Sequence, residues 1–230
     1  MKLPKLDTPI YTLTLPSTKE EVKFRPFLVK EEKILLLAQE SENPTEIVNN
    51  INSVISSCTF GTVDPEKLAI YDLEYIFVQL RAKSVGENAE VAIKCESCGH
   101  PVNLNINLGE VAVKFPETEI SDKIQLSDKV GIKLKNISIQ DSLKLDSLDL
   151  IGAIVTMIDY IYDEENVYAA ADSTVEELSE FVEGLSHSHL ESFQLYIENQ
   201  PKLRHTVNFV CPKCQHKNTK VIEGLHNFFM

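Results

Sequence analysis

Cys95-Glu96-Ser97-Cys98-Gly99-His100 and Cys211-Pro212-Lys213-Cys214-Gln215-His216 are two copies of one pattern, and their reading decides the fold. A Cys-x-x-Cys turn presents two thiolates to one side of a tetrahedral ion, and two such turns complete a four-sulfur shell. Residues 99–210 lie between the two pairs, whereas the halves of an ordinary zinc ribbon stand about 15–20 residues apart. The flanks account for the distance. Val91-Ala92-Ile93-Lys94 leads into the first turn, and Val102, Leu104, Ile106 and Leu108 alternate after it. Leu203, His205, Val207 and Phe209 alternate before the second, and Thr219-Lys220-Val221-Ile222 follows it. Apolar alternation on both sides of a tight turn is the signature of a β-hairpin. The expectation is one zinc-ribbon-like unit split into 89–109 and 203–223, with a long α/β insertion, 110–202, between its knuckles. Cys95, Cys98, Cys211 and Cys214 are then the ligands of one structural Zn²⁺. Iron in a rubredoxin-like site is the alternative ion, and a disulfide pair or inert cysteines are the readings without a metal.

Compartment bears on that choice. Met1-Lys2-Leu3-Pro4-Lys5-Leu6 is too polar, and too soon broken by proline, to be a signal peptide. Thiols that stay in a reducing compartment bind metal rather than each other. The fifth cysteine, Cys58, falls on the apolar stripe of an expected helix and reads as a small buried hydrophobe.

A chain of 230 residues with 43% hydrophobic and 25% charged residues can bury a sizeable core, which excludes bulk disorder. Acidic residues outnumber basic ones, 35 to 22, for a net charge of −13. Nucleic-acid binders draw affinity from cations set against phosphates, and this chain as a whole repels a phosphate backbone. Arg204, His205, Lys213, His216, Lys217 and Lys220 do crowd the second knuckle. A nucleic-acid-binding ribbon of an accessory factor is therefore kept as the alternative function.

The N-terminal region, 1–88, reads as a small hairpin feeding a helical layer. Tyr11, Leu13 and Leu15 alternate, Pro16-Ser17-Thr18 turns the chain, and Val22 and Phe24 alternate back. Arg25-Pro26-Phe27 closes the strand, because proline bars the preceding residue from helix, and Phe24 and Phe27 should flank the junction. A helix follows over about 30–40, with Glu31 and Glu32 at its positive end and Leu35-Leu36-Leu37 as a core run. Asn43-Pro44 caps a second, whose stripe is Ile47, Val48, Ile51, Val54, Ile55 and Cys58. Asp64-Pro65 repeats the signal ahead of Ala69, Leu73, Ile76, Phe77 and Leu80.

Within the insertion, residues 110–135 look extended and helix returns from about Ser138. The apolar run from Leu148 to Tyr162 carries Asp149 and Asp159 and is too short to span a bilayer. Ser173-Thr174-Val175-Glu176 reads as a capping box with Ser173 at the cap, and Leu190, Phe193, Tyr196 and Ile197 mark a last helix before Pro201. The apolar tail, 224–230, ends in Leu225-x-x-Phe228-Phe229-Met230; it either tucks into the core or docks on a neighbour. The fold class is thus α+β.

Nothing points to catalysis. Eight scattered glycines form no phosphate loop, and no Gly-x-Ser-x-Gly or His-Glu-x-x-His occurs. Glu164-Glu165 and Glu176-Glu177 read as solvated charge. His187 and His189 cannot share a helix face and read as a helix start or a loop rather than as ligands. His100 and His216 repeat at the same offset from their knuckles, but four thiolates already close a tetrahedral shell, so both belong beside the metal rather than on it.

Leu3-Pro4-Lys5-Leu6-Asp7-Thr8-Pro9, Lys23-Phe24-Arg25-Pro26-Phe27-Leu28-Val29-Lys30-Glu31-Glu32-Lys33 and the two knuckles together resemble baseplate hub subunits of T-even-like contractile-tailed bacteriophages. The second block is the most specific part, and the likeness runs nearly end to end. The resemblance implies a late-expressed, non-enzymatic viral structural or assembly protein whose partners are other tail baseplate hub proteins. From charge, apolar run lengths and the missing motifs, no nucleic-acid partner, membrane segment or small-molecule substrate is expected. Hub component and hub-assembly factor both remain open, and with them the mature virion baseplate as against the host cytoplasm during assembly.

Overall fold

Alternation over the first described residues produces the expected hairpin: Tyr11–Thr14 (β1) pairs antiparallel with Glu21–Phe24 (β2), burying Leu13, Leu15, Val22 and Phe24. The computed structural model describes residues 6–117, 120–145 and 148–224. Beyond the hairpin come three helices, Val29–Glu40 (α1), Pro44–Cys58 (α2) and Ile70–Ser84 (α3). Asn43 caps α2 as expected, its side chain accepting a hydrogen bond from Thr45 N at 3.0 Å. Val48, Ile51, Val54, Ile55 and Cys58 are all buried.

Two helical expectations are corrected. Only Leu35 of the leucine run is core; Leu36 and Leu37 are 54% and 63% exposed. Successive helical residues turn by about 100°, so three in a row cannot all face one core. Asp64-Pro65 does not start α3 but a turn, in which Lys67 N donates to Asp64 O and Glu66 N to Asp64 Oδ1. The helix begins at Ile70 and still buries Leu73, Ile76, Phe77 and Leu80.

The knuckle hairpins are Asn88–Lys94 (β3) with Pro101–Asn107 (β4), and Lys202–Val210 (β10) with Lys217–Glu223 (β11). A short strand, Ala112–Lys114 (β5), adds to the free edge of β10. Both hairpins contribute to one core with α3: Val78 and Ala82 pack with Ala89, Val91, Ile106, Leu108, Val111, Leu203 and Ile222. That shared core gives each knuckle a fixed base.

By its internal contacts the chain divides into two compact units. The first comprises Met1–Lys67, Tyr71–Lys114 and Lys202–Met230, the second Leu68–Ile70 with Phe115–Pro201. The second unit holds a four-stranded antiparallel sheet of Lys123–Gln125 (β6), Gly131–Leu134 (β7), Ile158–Tyr162 (β8) and Val167–Ala169 (β9), in that order. Helices Ile139–Leu145 (α4), Leu150–Met157 (α5), Val175–Glu183 (α6) and His187–Glu198 (α7) accompany it. Ile132, Leu134, Ile154, Met157, Leu178 and Phe193 form its core.

Here too the sequence signals shift. The apolar run 148–162 is not one helix: α5 stops at Met157, and Ile158–Tyr162 pairs with β7 as strand β8. Its β-branched and aromatic residues suit a pleated sheet. The cap of α6 is Thr174, one residue later than expected, and its partner is Glu177: Thr174 N donates to Glu177 Oε2 at 2.9 Å and Glu177 N to Thr174 Oγ1 at 3.2 Å. Either frame fits the capping pattern, since serine and threonine stand side by side before two glutamates.

One buried ion pair ties the N-terminal layer together. Arg25, at the end of the hairpin, donates to Glu31 of α1 through Nη2 at 2.8 Å and Nη1 at 3.4 Å. Arg25 also reaches Ser57 Oγ at 3.1 Å, and Ser57 Oγ donates to Glu31 Oε1 at 2.9 Å. Leu28 N donates to Glu31 Oε2 at 2.9 Å. Glu31 is 2% exposed. Burial alone would raise its pKa, but Arg25, Leu28 N–H, Ser57 and Lys30 outweigh that and bring it down to about 2. Phe24 packs in the core beside this junction while Phe27 is half-buried.

Glu31→Gln leaves Arg25 buried without its counter-charge and should cost about 3–5 kcal/mol, read by urea unfolding at pH 7. The folded pKa lies below the ordinary 4.5, so the carboxylate's contribution is complete above about pH 4.5 and fades as pH falls towards 2. The gap between wild type and Glu31→Gln should shrink over that window. An equal gap at pH 7 and pH 2 would show that the charge contributes nothing.

Candidate metal centre

The two knuckles share the same pair of backbone hydrogen bonds. Cys95 N donates to His100 O and Cys211 N to His216 O, each at 2.9 Å. Gly99 N donates back to Cys95 O, and Gln215 N to Cys211 O, again at 2.9 Å. The residue after the second cysteine takes a left-handed conformation in both, Gly99 at φ +68° and Gln215 at φ +59°. Glycine does this freely; glutamine does it at a cost of roughly 1–2 kcal/mol. The turn geometry therefore prevails over residue preference in the second knuckle.

These turns bring Cys95, Cys98, Cys211 and Cys214 together, with all four sulfurs within 4.8 Å of one another. Cys95 Sγ lies 3.7 Å from Cys214 Sγ, and Cys98 Sγ lies 3.7 Å from Cys211 Sγ. A disulfide would need about 2.05 Å. A tetrahedron with metal–sulfur bonds of about 2.3 Å has edges of about 3.8 Å. The observed spacing thus fits four ligands around one ion and fits no cross-link. Among the described residues this is the one group of His, Cys, Asp or Glu close enough to hold a metal.

Electrostatics agree with the geometry. Burial works against charge on Cys95, yet the N–H groups of Cys98 and Ser97, with Asn218 and Cys214, prevail and bring its thiol down to about 6. On Cys98 the His100 N–H favours the thiolate, but Cys214, burial, Cys211 and Cys95 outweigh it and push the thiol up to about 11. One thiolate forms readily and then opposes the next, so a full set of four calls for a cation among them. Cys95 and Cys211 are buried, Cys98 and Cys214 exposed; the centre lies at the surface end of the hairpins.

His100 and His216 contribute backbone carbonyls, and their side chains are not part of the sulfur cluster. Cys58 is far from the knuckles in role as well as sequence: it is fully buried in α2, 3.8 Å from Arg25 Nη1, and burial pushes its thiol up to about 11. His187 opens α7, and His189 Nδ1 accepts from Ser186 N at 3.3 Å, as a helix start requires. The basic cluster is partly neutralised, Arg204 by Glu223 at 2.8 Å and Lys220 by Glu96 at 2.7 Å.

Asn218 is a member of the site that sequence reasoning missed. It is 2% exposed; its Oδ1 accepts from Glu96 N at 2.9 Å and its Nδ2 donates to His216 O at 3.0 Å. One side chain of the second hairpin thereby holds the backbone of both knuckles. Its position, four residues beyond Cys214 on a strand rich in polar residues, gives no separate signal.

A family model described as T4 bacteriophage base plate protein matches residues 8–230. Baseplate hub assembly protein gp26 of Enterobacteria phage T4 is 25% identical over 209 residues, which cover 90% of this chain and 92% of that protein. No solved structure matches the chain.

Reduced, freshly purified protein should carry one Zn²⁺ per chain by elemental analysis, and a colourless sample would separate zinc from iron. Near-zero metal would remove the centre. Asn218→Ala should cost about 1–3 kcal/mol by leaving Glu96 N–H without its acceptor, and should loosen metal retention against a chelator. Unchanged retention would confine Asn218 to a local role.

Proposed function

This chain belongs to the T4 bacteriophage base plate protein family, and from that premise we propose that it is a non-enzymatic structural or assembly protein of the phage tail baseplate hub. It works by binding other hub proteins, in the host cytoplasm during assembly and at the tail baseplate. The observation that carries this is the match, over nine-tenths of the chain, to a protein named for baseplate hub assembly. That printed name favours the assembly role over that of a permanent component.

Within this reading the four cysteines hold one structural Zn²⁺. Four sulfur ligands leave no open position for a substrate or an activated water. The ion closes a ribbon made of 89–109 and 203–223 around the inserted 110–202, so its contribution is to the fold. Net charge of −13 supports a protein partner over a nucleic-acid one. The neutralisation of Arg204 and Lys220 by local carboxylates does so again.

A pull-down with the tagged full chain from late-infected cells, analysed by mass spectrometry, should recover other baseplate hub proteins as the main catch. Retention of the purified chain on DNA with a steep loss between 50 and 200 mM salt (a range in which true binders lose about 10³–10⁵ in affinity) would instead favour the nucleic-acid alternative. Such retention, with no hub protein captured, would overturn the proposal.

A further inference from the structure

Helices α1 and α3 leave a groove between them of about 120 Å³. Leu35 and Leu36 line one side, Phe77, Arg81 and Val85 the other, and Phe27 one end. The volume is close to that of an engineered apolar cavity that binds benzene, about 150 Å³, so the space fits one phenyl ring. Two features leave the groove unfinished. Leu36 and Val85 are 54% and 65% exposed. In addition, Arg81 Nη1 is buried with no hydrogen-bond partner among the described residues, and a desolvated guanidinium N–H is costly until an acceptor reaches it.

The chain itself supplies a fitting occupant. After β11 it reaches Gly224, whose φ of +78° turns it and which lies against α3: a Cβ there would sit 3.7 Å from Glu74 Oε1. Glu74, Phe77 and Arg81 are spaced i, i+3 and i+7 along one face of α3, and Val85 follows just past its end, its N–H donating to Arg81 O. Glu74 to Arg81 is seven residues, about 10 Å along the helix axis. The six residues that follow Gly224 can extend to about 20 Å. Their sequence, Leu225-His226-Asn227-Phe228-Phe229-Met230, is apolar at four positions and offers two phenyl rings. These residues lie outside the described residues.

We infer that the groove between α1 and α3 is the docking site of the chain's own segment 225–230, with a Phe228 or Phe229 ring in the apolar space and a backbone carbonyl accepting from Arg81. Residues 1–5 are the poorer candidate, since Lys2 and Lys5 would bring cations to Arg81. A second copy of the chain is the remaining competitor.

The test uses the full chain with Phe229 replaced by p-benzoylphenylalanine, irradiated and mapped by mass spectrometry. Cross-links within one chain to residues 35–39 or 77–85 are expected, and Leu36→Glu, at a half-exposed position that need not disturb folding, should lower their yield at least fivefold. Cross-links between two chains, or to other parts of the same chain, overturn the inference, as does a yield that Leu36→Glu leaves unchanged. Hydrogen exchange on the chain without the photo-label gives an independent reading. Amides of 225–230 should exchange at least tenfold faster in Leu36→Glu while β10 and β11 stay as in wild type; no difference in the segment overturns the inference.

Discussion

Four sulfurs within 4.8 Å set the constraint on which the first unit's architecture turns. They join Cys95 and Cys98 to Cys211 and Cys214 across an excursion of more than a hundred residues. Bringing the ends of so long a loop together costs about 4–5 kcal/mol in chain entropy. The paired hairpins repay part of it through the core they share with α3, where Val78, Leu108 and Leu203 are fully buried. Zn²⁺ bound in small metal-folded peptides supplies about 10–16 kcal/mol, well above the closure cost. An ion held by the four cysteines would therefore offset the closing of a loop that carries a whole α/β region.

The N-terminal layer is closed by a different device, a buried charge pair. Arg25 and Glu31 are both buried, and each is satisfied by more than the other: Ser57, Pro26 O and Leu28 N–H complete the set. A buried pair is costly to desolvate and weak as a source of stability, but costly to break once formed. Its value here is in position. It fixes the end of β2, the start of α1 and the end of α2 with one planar fork. Asp72 of α3 plays a similar part at the hairpin's other end, accepting from both the N–H and the hydroxyl of Ser17.

What could be read from the sequence follows from which signals are local. The knuckles, their flanking strands and the Asn43-Pro44 start of α2 are written in adjacent residues and appear where expected. The Thr174 cap is ambiguous locally, because Ser173 and Thr174 each have a glutamate three residues on, and only the wider packing selects the frame. The switch from α5 to β8 at Ile158 depends on pairing with β7, whose residues stand more than twenty positions earlier. Long-range polar partners were the least legible. Arg25–Glu31–Ser57 and Glu96–Asn218–His216 each join parts of the chain that no window contains, and the residue types involved are ordinary surface residues elsewhere.

The distribution of polarity also says where function can reside. The four cysteines converge on one another and the buried Arg25–Glu31 pair is satisfied by its neighbours, so these groups are committed to holding the fold. The net charge of −13 repels other acidic surfaces and phosphate backbones at long range. Against that background, Val29 and Leu37 are more than half exposed on α1, a helix whose core contacts need only Leu35 and Ala38. Apolar side chains beyond what a core requires gain free energy only by being covered. An acidic surface with a local apolar helix face rejects most encounters by charge and rewards the few that match it in shape.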